Sequence, residues 1–252
     1  EYDPAIEAAQ RFISLHPGNE SAPYAYYLIA ICHFERIVDV GRDQGTTERA
    51  LASGSSLKAA LALIGSIRHS LSAPVVVFSY ANPLLRMGVE HFARRAADAG
   101  VDGVLALDLP IEEAGEFRDV LLAAGLDTIF LLSPTTTDAR IQRAAELGRG
   151  FLYGISRLGV TGAREQVASG AEGMVRRIRA HTDMPVALGF GISRPEHVAE
   201  VGAYADAAVV GSALVSLIAR FGRSAELVGR VEDYVRWLKA TGGEAPDDGN
   251  PR

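Results

Sequence analysis

The sequence predicts an α/β fold built on about six parallel strands, preceded by a purely helical segment. Two observations carry this. From Pro74 onward short β-rich apolar runs alternate with amphipathic stretches at a spacing of roughly 25 residues, the rhythm of parallel βα units. The first fifty or so residues contain no such run and instead show two helix-length apolar patterns separated by a turn.

Taken in order, the helical patterns are AIEAAQRFISLHPG and APYAYYLIAICHFERI, with Pro, Gly and Asn between them. Ala and Tyr at the contact positions suit a helical hairpin of the tetratricopeptide type, and any other helical hairpin fits the pattern equally. The strand candidates follow: Pro74 to Tyr80, Gly103 to Leu109, Asp127 to Ser133, Gly150 to Ser156, Pro185 to Phe190 and Ala207 to Ala213. Their near-continuous apolar character fits strands covered on both faces, and stretches between them such as VEHFARRAADAG show helical periodicity ending at glycine. A closed barrel and an open doubly wound sheet both satisfy this pattern. The tail from Thr241 to Arg252, rich in Gly, Pro and Asp, reads as a disordered end.

Composition narrows the function classes. A formal charge of −6 and a modest aromatic share disfavour a nucleic-acid-binding face. The single cysteine, Cys32, excludes an internal disulfide and a multi-cysteine metal site, and reads as a small buried apolar residue. No apolar run approaches the ~18 residues of a membrane span, and no signal-peptide pattern opens the sequence, so a cytoplasmic protein without membrane partners is expected.

The strongest local signals stand where strands end. In GFLYGISRLGVTGAR, Gly159 and Gly162 bracket Val160 and Thr161, giving a loop whose amides can approach an anion. In LGFGIS, Gly189 and Gly191 flank Phe190, and Ser193 is placed to cap a helix starting near Arg194. In VVGSAL, Gly211 and Ser212 open a further helix, and a helix amino terminus favours phosphate. Each loop alone is an ordinary turn, whereas three at consecutive strand ends point to a phosphate site.

The strings SPTTTDARI, YGISRLGVTGAR, GFGIS and VVGSALV, together with ANP at Ala81 to Pro83 and LDLP at Leu107 to Pro110, resemble the tryptophan synthase alpha subunit over residues 49–239. The resemblance implies an incomplete TIM (β/α)₈ barrel over residues 49–240. It also implies a lyase of tryptophan biosynthesis that cleaves indole-3-glycerol phosphate to indole and glyceraldehyde 3-phosphate by a retro-aldol reaction. Carried over, Gly162, Gly191, Gly211 and Ser212 bind the substrate phosphate, with the Phe190 backbone between them. Tyr153, Leu105, Leu107, Phe78, Leu132 and the Phe190 ring line the indole slot, and Arg157 heads the loop that closes over substrate. Each apolar member of that set also reads as plain barrel core.

Asn82 and Pro110 match the surface that docks on the tryptophan synthase beta subunit. Pyridoxal phosphate belongs to that partner, so no cofactor and no metal is expected in this chain. Asp108 belongs near the same interface.

The family's glutamate and aspartate lie in a segment like ELGIPFSDPxADGP, and this sequence has none. The chain reads HFERIVDVGRDQGTTERAL in that place. Glu35, Asp39 and Asp43 read as solvated carboxylates, so no catalytic residue is assigned and activity is expected to be impaired. Residues 1–46 are similar to the tetratricopeptide-repeat lipoprotein of bacterial outer-membrane assembly, through YAYYLIA and DVGRDQ. The expected divisions are 1–48, 49–240 and 241–252, with the join inside Thr47 to Gly54. The alternative function is a non-catalytic fusion whose helical segment binds protein.

Overall fold

A computed structural model describes Arg11, residues 56–155, 164–189 and 191–221, Ser224, and residues 226–240. The expected helical hairpin apart from Arg11, its carboxylates, Cys32, the join, and the tail from Thr241 lie outside the described residues, as do Gly159, Gly162, Arg157 and Phe190. The chain divides into two compact units, one of residues 64–211 and one of residues 1–63 with 212–252.

The 64–211 unit carries all six strands: β1 (Val76–Ser79), β2 (Gly103–Ala106), β3 (Asp127–Leu132), β4 (Leu152–Ile155), β5 (Val186–Gly189) and β6 (Ala207–Val209). Every pairing is parallel, and the order β1-β2-β3-β4-β5-β6 has each strand beside its neighbour in sequence. A doubly wound sheet reverses its strand order at a switch point. No reversal occurs among these six strands, which leaves the barrel arrangement of the two that the sequence allowed.

Between the strands run α2 (Ala81–Met87), α3 (Val89–Asp98), α4 (Ala114–Ala123), α5 (Asp138–Leu147), α6 (Arg164–Arg179) and α7 (Pro195–Gly202), after α1 (Leu57–Ile67), which straddles the division at residue 63. Helix α3 turns Phe92, Ala93 and Ala96 inward at helical spacing, and α5 does the same with Ile141, Ala144 and Leu147. Two of the stops share one device. After α3, Gly100 adopts φ +82° and the amide of Val101 donates to Ala96 O at 2.9 Å; after α4, Gly125 adopts φ +77° and Leu126 donates to Leu121 O at 2.9 Å. This closure satisfies late helix carbonyls and turns the chain straight into β2 and β3.

The strand starts are clamped by a repeated three-part contact. The Asp102 carboxylate accepts the Val75 amide at 2.7 Å and the Arg68 guanidinium at 3.1 Å. Four strands away, the Asp206 carboxylate accepts the Val186 amide at 2.8 Å and the Arg179 guanidinium at 3.0 Å. In each case an aspartate preceding one strand ties down the start of its neighbour and the segment leading into it. The Val186 amide above all, with Arg179 adding to it, holds the Asp206 carboxyl below its ordinary range against burial, which raises it.

The core lies between the sheet and its helices. Phe130 and Leu132 of β3, Leu152 of β4, and Val186 and Leu188 of β5 pack with Ile141, Met174, Ile178 and Val201 from the covering helices. In the other unit, α8 (Ser212–Phe221) is followed by α9 (Leu227–Lys239), and the Arg230 guanidinium lies 5.2 Å from the Phe221 ring centroid. Among the described residues no helix is long and apolar enough to cross a membrane.

Candidate functional site

Side chains alternate across a strand, so the strand pairings sort residues by face. Phe78 stands beside Leu105, Leu105 beside Ile129, Leu131 beside Tyr153, and Tyr153 beside Ala187. These residues share the face turned away from the helices, and Leu107 lies in the turn just past the end of β2. The Leu107 amide donates to Ser79 O at 2.8 Å, which carries the β1–β2 ladder one step further toward the carboxyl ends.

Across this face the rings of Phe78 and Tyr153 meet edge to face, centroids 6.3 Å apart and planes at 89°. They stand on β1 and β4, three strand intervals apart. On a flat sheet, intervals of about 4.8 Å would hold them about 14 Å apart. The sheet of this unit therefore curls around the face that carries them, and the two rings form one side of an apolar concavity. Tyr153 is half-buried, and this burial raises its hydroxyl above the ordinary tyrosine range and keeps it a neutral donor.

Leu132 is not part of this face. It pairs with Gly154, is 2 % exposed, and lies in the core between sheet and helices. Its neighbour Leu131 takes the place expected of it, because one step along a strand changes the face. Gly189 makes room for Tyr153: a Cβ there would stand 2.9 Å from Tyr153 Cε2 and 3.0 Å from Cζ.

The loops at the carboxyl ends are held by polar contacts. Asp108 accepts the Ala81 amide at the start of α2 at 2.6 Å, which joins the turn bearing Asn82 to the turn bearing Pro110. Asn82 and Pro110 are both exposed. Burial and then the Asp108 charge raise the Tyr80 hydroxyl above its usual range. Glu112 takes the Arg140 guanidinium through two bonds of 2.8 Å. Arg177 of α6 donates to Asp138 at 2.6 Å, Thr136 O at 2.6 Å and Pro134 O at 3.2 Å, and so pins the Ser133–Thr137 loop after β3.

Gly191 follows β5 with φ +72° and is exposed, while Ile192 is 2 % exposed. Ser193 does not cap the next helix as expected. The N-cap is Arg194, extended at φ −140°, with Pro195 at the first helical position. The Ser193 amide instead donates to Nδ1 of His197 at 3.3 Å, a residue that sequence reasoning passed over. Gly211 ends the 64–211 unit, and Ser212 opens α8 in the other unit.

Of the acidic residues at these strand ends, Asp108, Glu112 and Asp138 are engaged with Ala81, Arg140 and Arg177. Among the described residues no cluster of three His, Cys, Asp or Glu side chains is placed to hold a metal ion.

The curled parallel sheet has counterparts among known proteins. The family model described as "Tryptophan synthase alpha chain" matches residues 37–241. The chain belongs to the tryptophan synthase alpha chain family. The tryptophan synthase alpha chain of Solibacter usitatus is 44% identical over 196 residues, 78% of this chain and 73% of that one. The alpha chain of a Roseiflexus species is 40% identical over 240 residues, 95% of this chain and 89% of that one. In the solved tryptophan synthase a2b2 complex of Pyrococcus furiosus, the matching chain is 34% identical with a TM-score of 0.71, and the likeness covers 84% of this chain and 91% of that one.

A second family model, "Outer membrane lipoprotein", matches residues 1–60. The alpha-chain match begins at residue 37 rather than at about 49, so both models claim residues 37–60, the stretch that contains the expected join. The tryptophan synthase alpha chain family is one of lyases with a TIM-barrel fold, and the six parallel strands of the described residues form part of that eight-stranded architecture.

Proposed function

We propose that this chain is a tryptophan synthase alpha-type lyase that binds indole-3-glycerol phosphate and cleaves it to indole and glyceraldehyde 3-phosphate at an impaired rate. The observation that carries the reading is the edge-to-face meeting of Phe78 and Tyr153 over the concave face shared with Leu105 and Leu131. A flat apolar slot of this kind suits an indole ring. Gly191 and Gly211, in the loops after β5 and β6, supply backbone amides for the phosphate, with Ser212 next in the chain and Gly162 in the loop after β4. The sequence resemblance adds Phe190, by its backbone and ring, and Arg157, at the head of the loop that closes over substrate.

The impairment rests on the sequence: retro-aldol cleavage needs a proton delivered to the indole carbon and another removed from the glycerol hydroxyl. The segment that supplies both carboxylates in the family has no counterpart here. Loss of a placed acid or base costs about 10²- to 10⁴-fold. Indole release by the purified chain, measured beside the Roseiflexus alpha chain, is expected to fall short by that order. Equal turnover would refute impairment, and failure to bind the substrate at all would refute the lyase reading.

The beta subunit of tryptophan synthase is the proposed partner, docking over Asn82 and Pro110. A second reading is favoured by the match of residues 1–60 to an outer membrane lipoprotein: a fusion with divisions near 48 and 240, whose leading segment binds protein and whose barrel portion is non-catalytic. Co-purification with outer-membrane assembly proteins, without detectable indole release, would support that alternative.

A further inference from the structure

We infer that His197 is a positioning residue for a phosphoryl group, acting on the Gly191–Ser193 loop through its Nδ1 atom; the inference rests on the phosphate reading above. Three constraints fix most of this loop. Ile192 is buried in the core beneath the sheet, which pins the middle of the turn. Pro195 at the first position of α7 locks its own φ and confines Arg194 to extended backbone, as observed. The amides of His197 and Val198 are both spent on Arg194 O, at 3.1 and 3.2 Å.

The peptide entering Ser193 carries a further side-chain restraint. The Ser193 amide donates to His197 Nδ1 at 3.3 Å across four residues. An acceptor Nδ1 carries no proton, so the ring is the neutral tautomer protonated at Nε2. The bond closes a ring of backbone from the residue before the N-cap to the third helical position. It holds the Ile192–Ser193 peptide plane, which adjoins the peptide that carries the Ile192 amide and so limits where that amide faces. Gly191 stands exposed at φ +72°, where the backbone can approach an anion without a Cβ in the way. His197 touches no substrate in this arrangement. It sets the donors that do.

The test is calorimetric titration of the full chain with inorganic phosphate, comparing wild type with His197→Asn, whose Oδ1 stands on Cγ as Nδ1 does and can still accept the Ser193 amide, and His197→Leu, which cannot. One hydrogen bond of this kind corresponds to roughly tenfold in an equilibrium constant. The asparagine variant is expected to bind within about twofold of wild type and the leucine variant roughly tenfold more weakly. Leucine binding as tightly as wild type would overturn the inference, as would equal weakening in both variants. No phosphate binding by wild type would remove the phosphate site itself, a different failure. Should the leucine variant not fold, nitrogen NMR of the His197 ring in the wild type decides: an unprotonated Nδ1 coupled to the Ser193 amide is expected, and a protonated Nδ1 refutes the proposal.

Discussion

The carboxylate of Asp108, at the end of β2, accepts the backbone amide of Ala81, at the end of β1, at 2.6 Å. An anion at the start of a helix satisfies a donor that has no partner within the helix and sits favourably in its dipole. Here the same bond also crosses between two strands, so the turns bearing Asn82 and Pro110 are held as one surface.

Replacing Asp108 with alanine is expected to cost about 1 kcal/mol of stability, the usual scale for a lost cap, read from urea denaturation. On the proposed docking surface, affinity for the beta subunit should fall with it. Unchanged beta-subunit affinity in Asp108→Ala would show that the two turns are positioned independently.

Asp206 predicts how the fold responds to acid. Its folded carboxyl lies below the ordinary value because the Val186 amide and the Arg179 guanidinium favour the charged form. A group depressed in this way contributes stability that is complete above the unfolded value of about 3.9 and is lost as pH falls through the lower folded value. Asp206→Asn should therefore flatten the stability curve below about pH 4, with lower stability at neutral pH. A mutant curve parallel to wild type between pH 5 and pH 2 would exclude this carboxylate as a source of acid sensitivity.

The strand starts were readable because punctuation is local. Gly103 and Asp127 open β2 and β3 as expected, each shortly after the left-handed glycine that ends the preceding helix. Where the apolar run continued into a helix, the sequence was ambiguous: the sixth strand was expected to reach Ala213, yet β6 ends at Val209 and Ser212 already opens α8. A short apolar run does not tell strand from helix. Face assignment failed at Leu131 and Leu132 for a related reason. A strand buried on both sides carries leucine on either face, and only pairing with a residue of known direction, Tyr153, resolves the parity. His197 was missed because its role depends on a side-chain bond four residues back, in a loop whose cap was expected to be Ser193.

The reassignment of these leucines has a direct consequence. Leu132→Ala removes a buried side chain from the layer between sheet and helices and should cost about 2–5 kcal/mol, with indole affinity per folded molecule unchanged. Leu131→Ala should cost less stability and weaken indole binding instead, because Leu131 is half-buried on the concave face. Chemical denaturation and indole titration of both variants separate the two outcomes. Weaker indole binding by Leu132→Ala alone would return that residue to the slot.

Gly189 and Tyr153 make the sharpest test of the concave face. An added Cβ at Gly189 would press on the phenol ring at 2.9 and 3.0 Å, closer than side chains tolerate, so the ring must move or the strand must shift. Overpacking of this kind costs about 1–3 kcal/mol, and displacing Tyr153 also forfeits its edge contact with Phe78 across the slot. Gly189→Ala should thus lower both stability and indole affinity. The cause is separable by a double-mutant cycle, because residues in contact couple and independent ones add. In a Tyr153→Ala background the ring is gone, and Gly189→Ala should then be nearly neutral for stability. If the cost persists in that background, backbone strain in β5 rather than the ring is responsible, and the slot is not shaped by this pair.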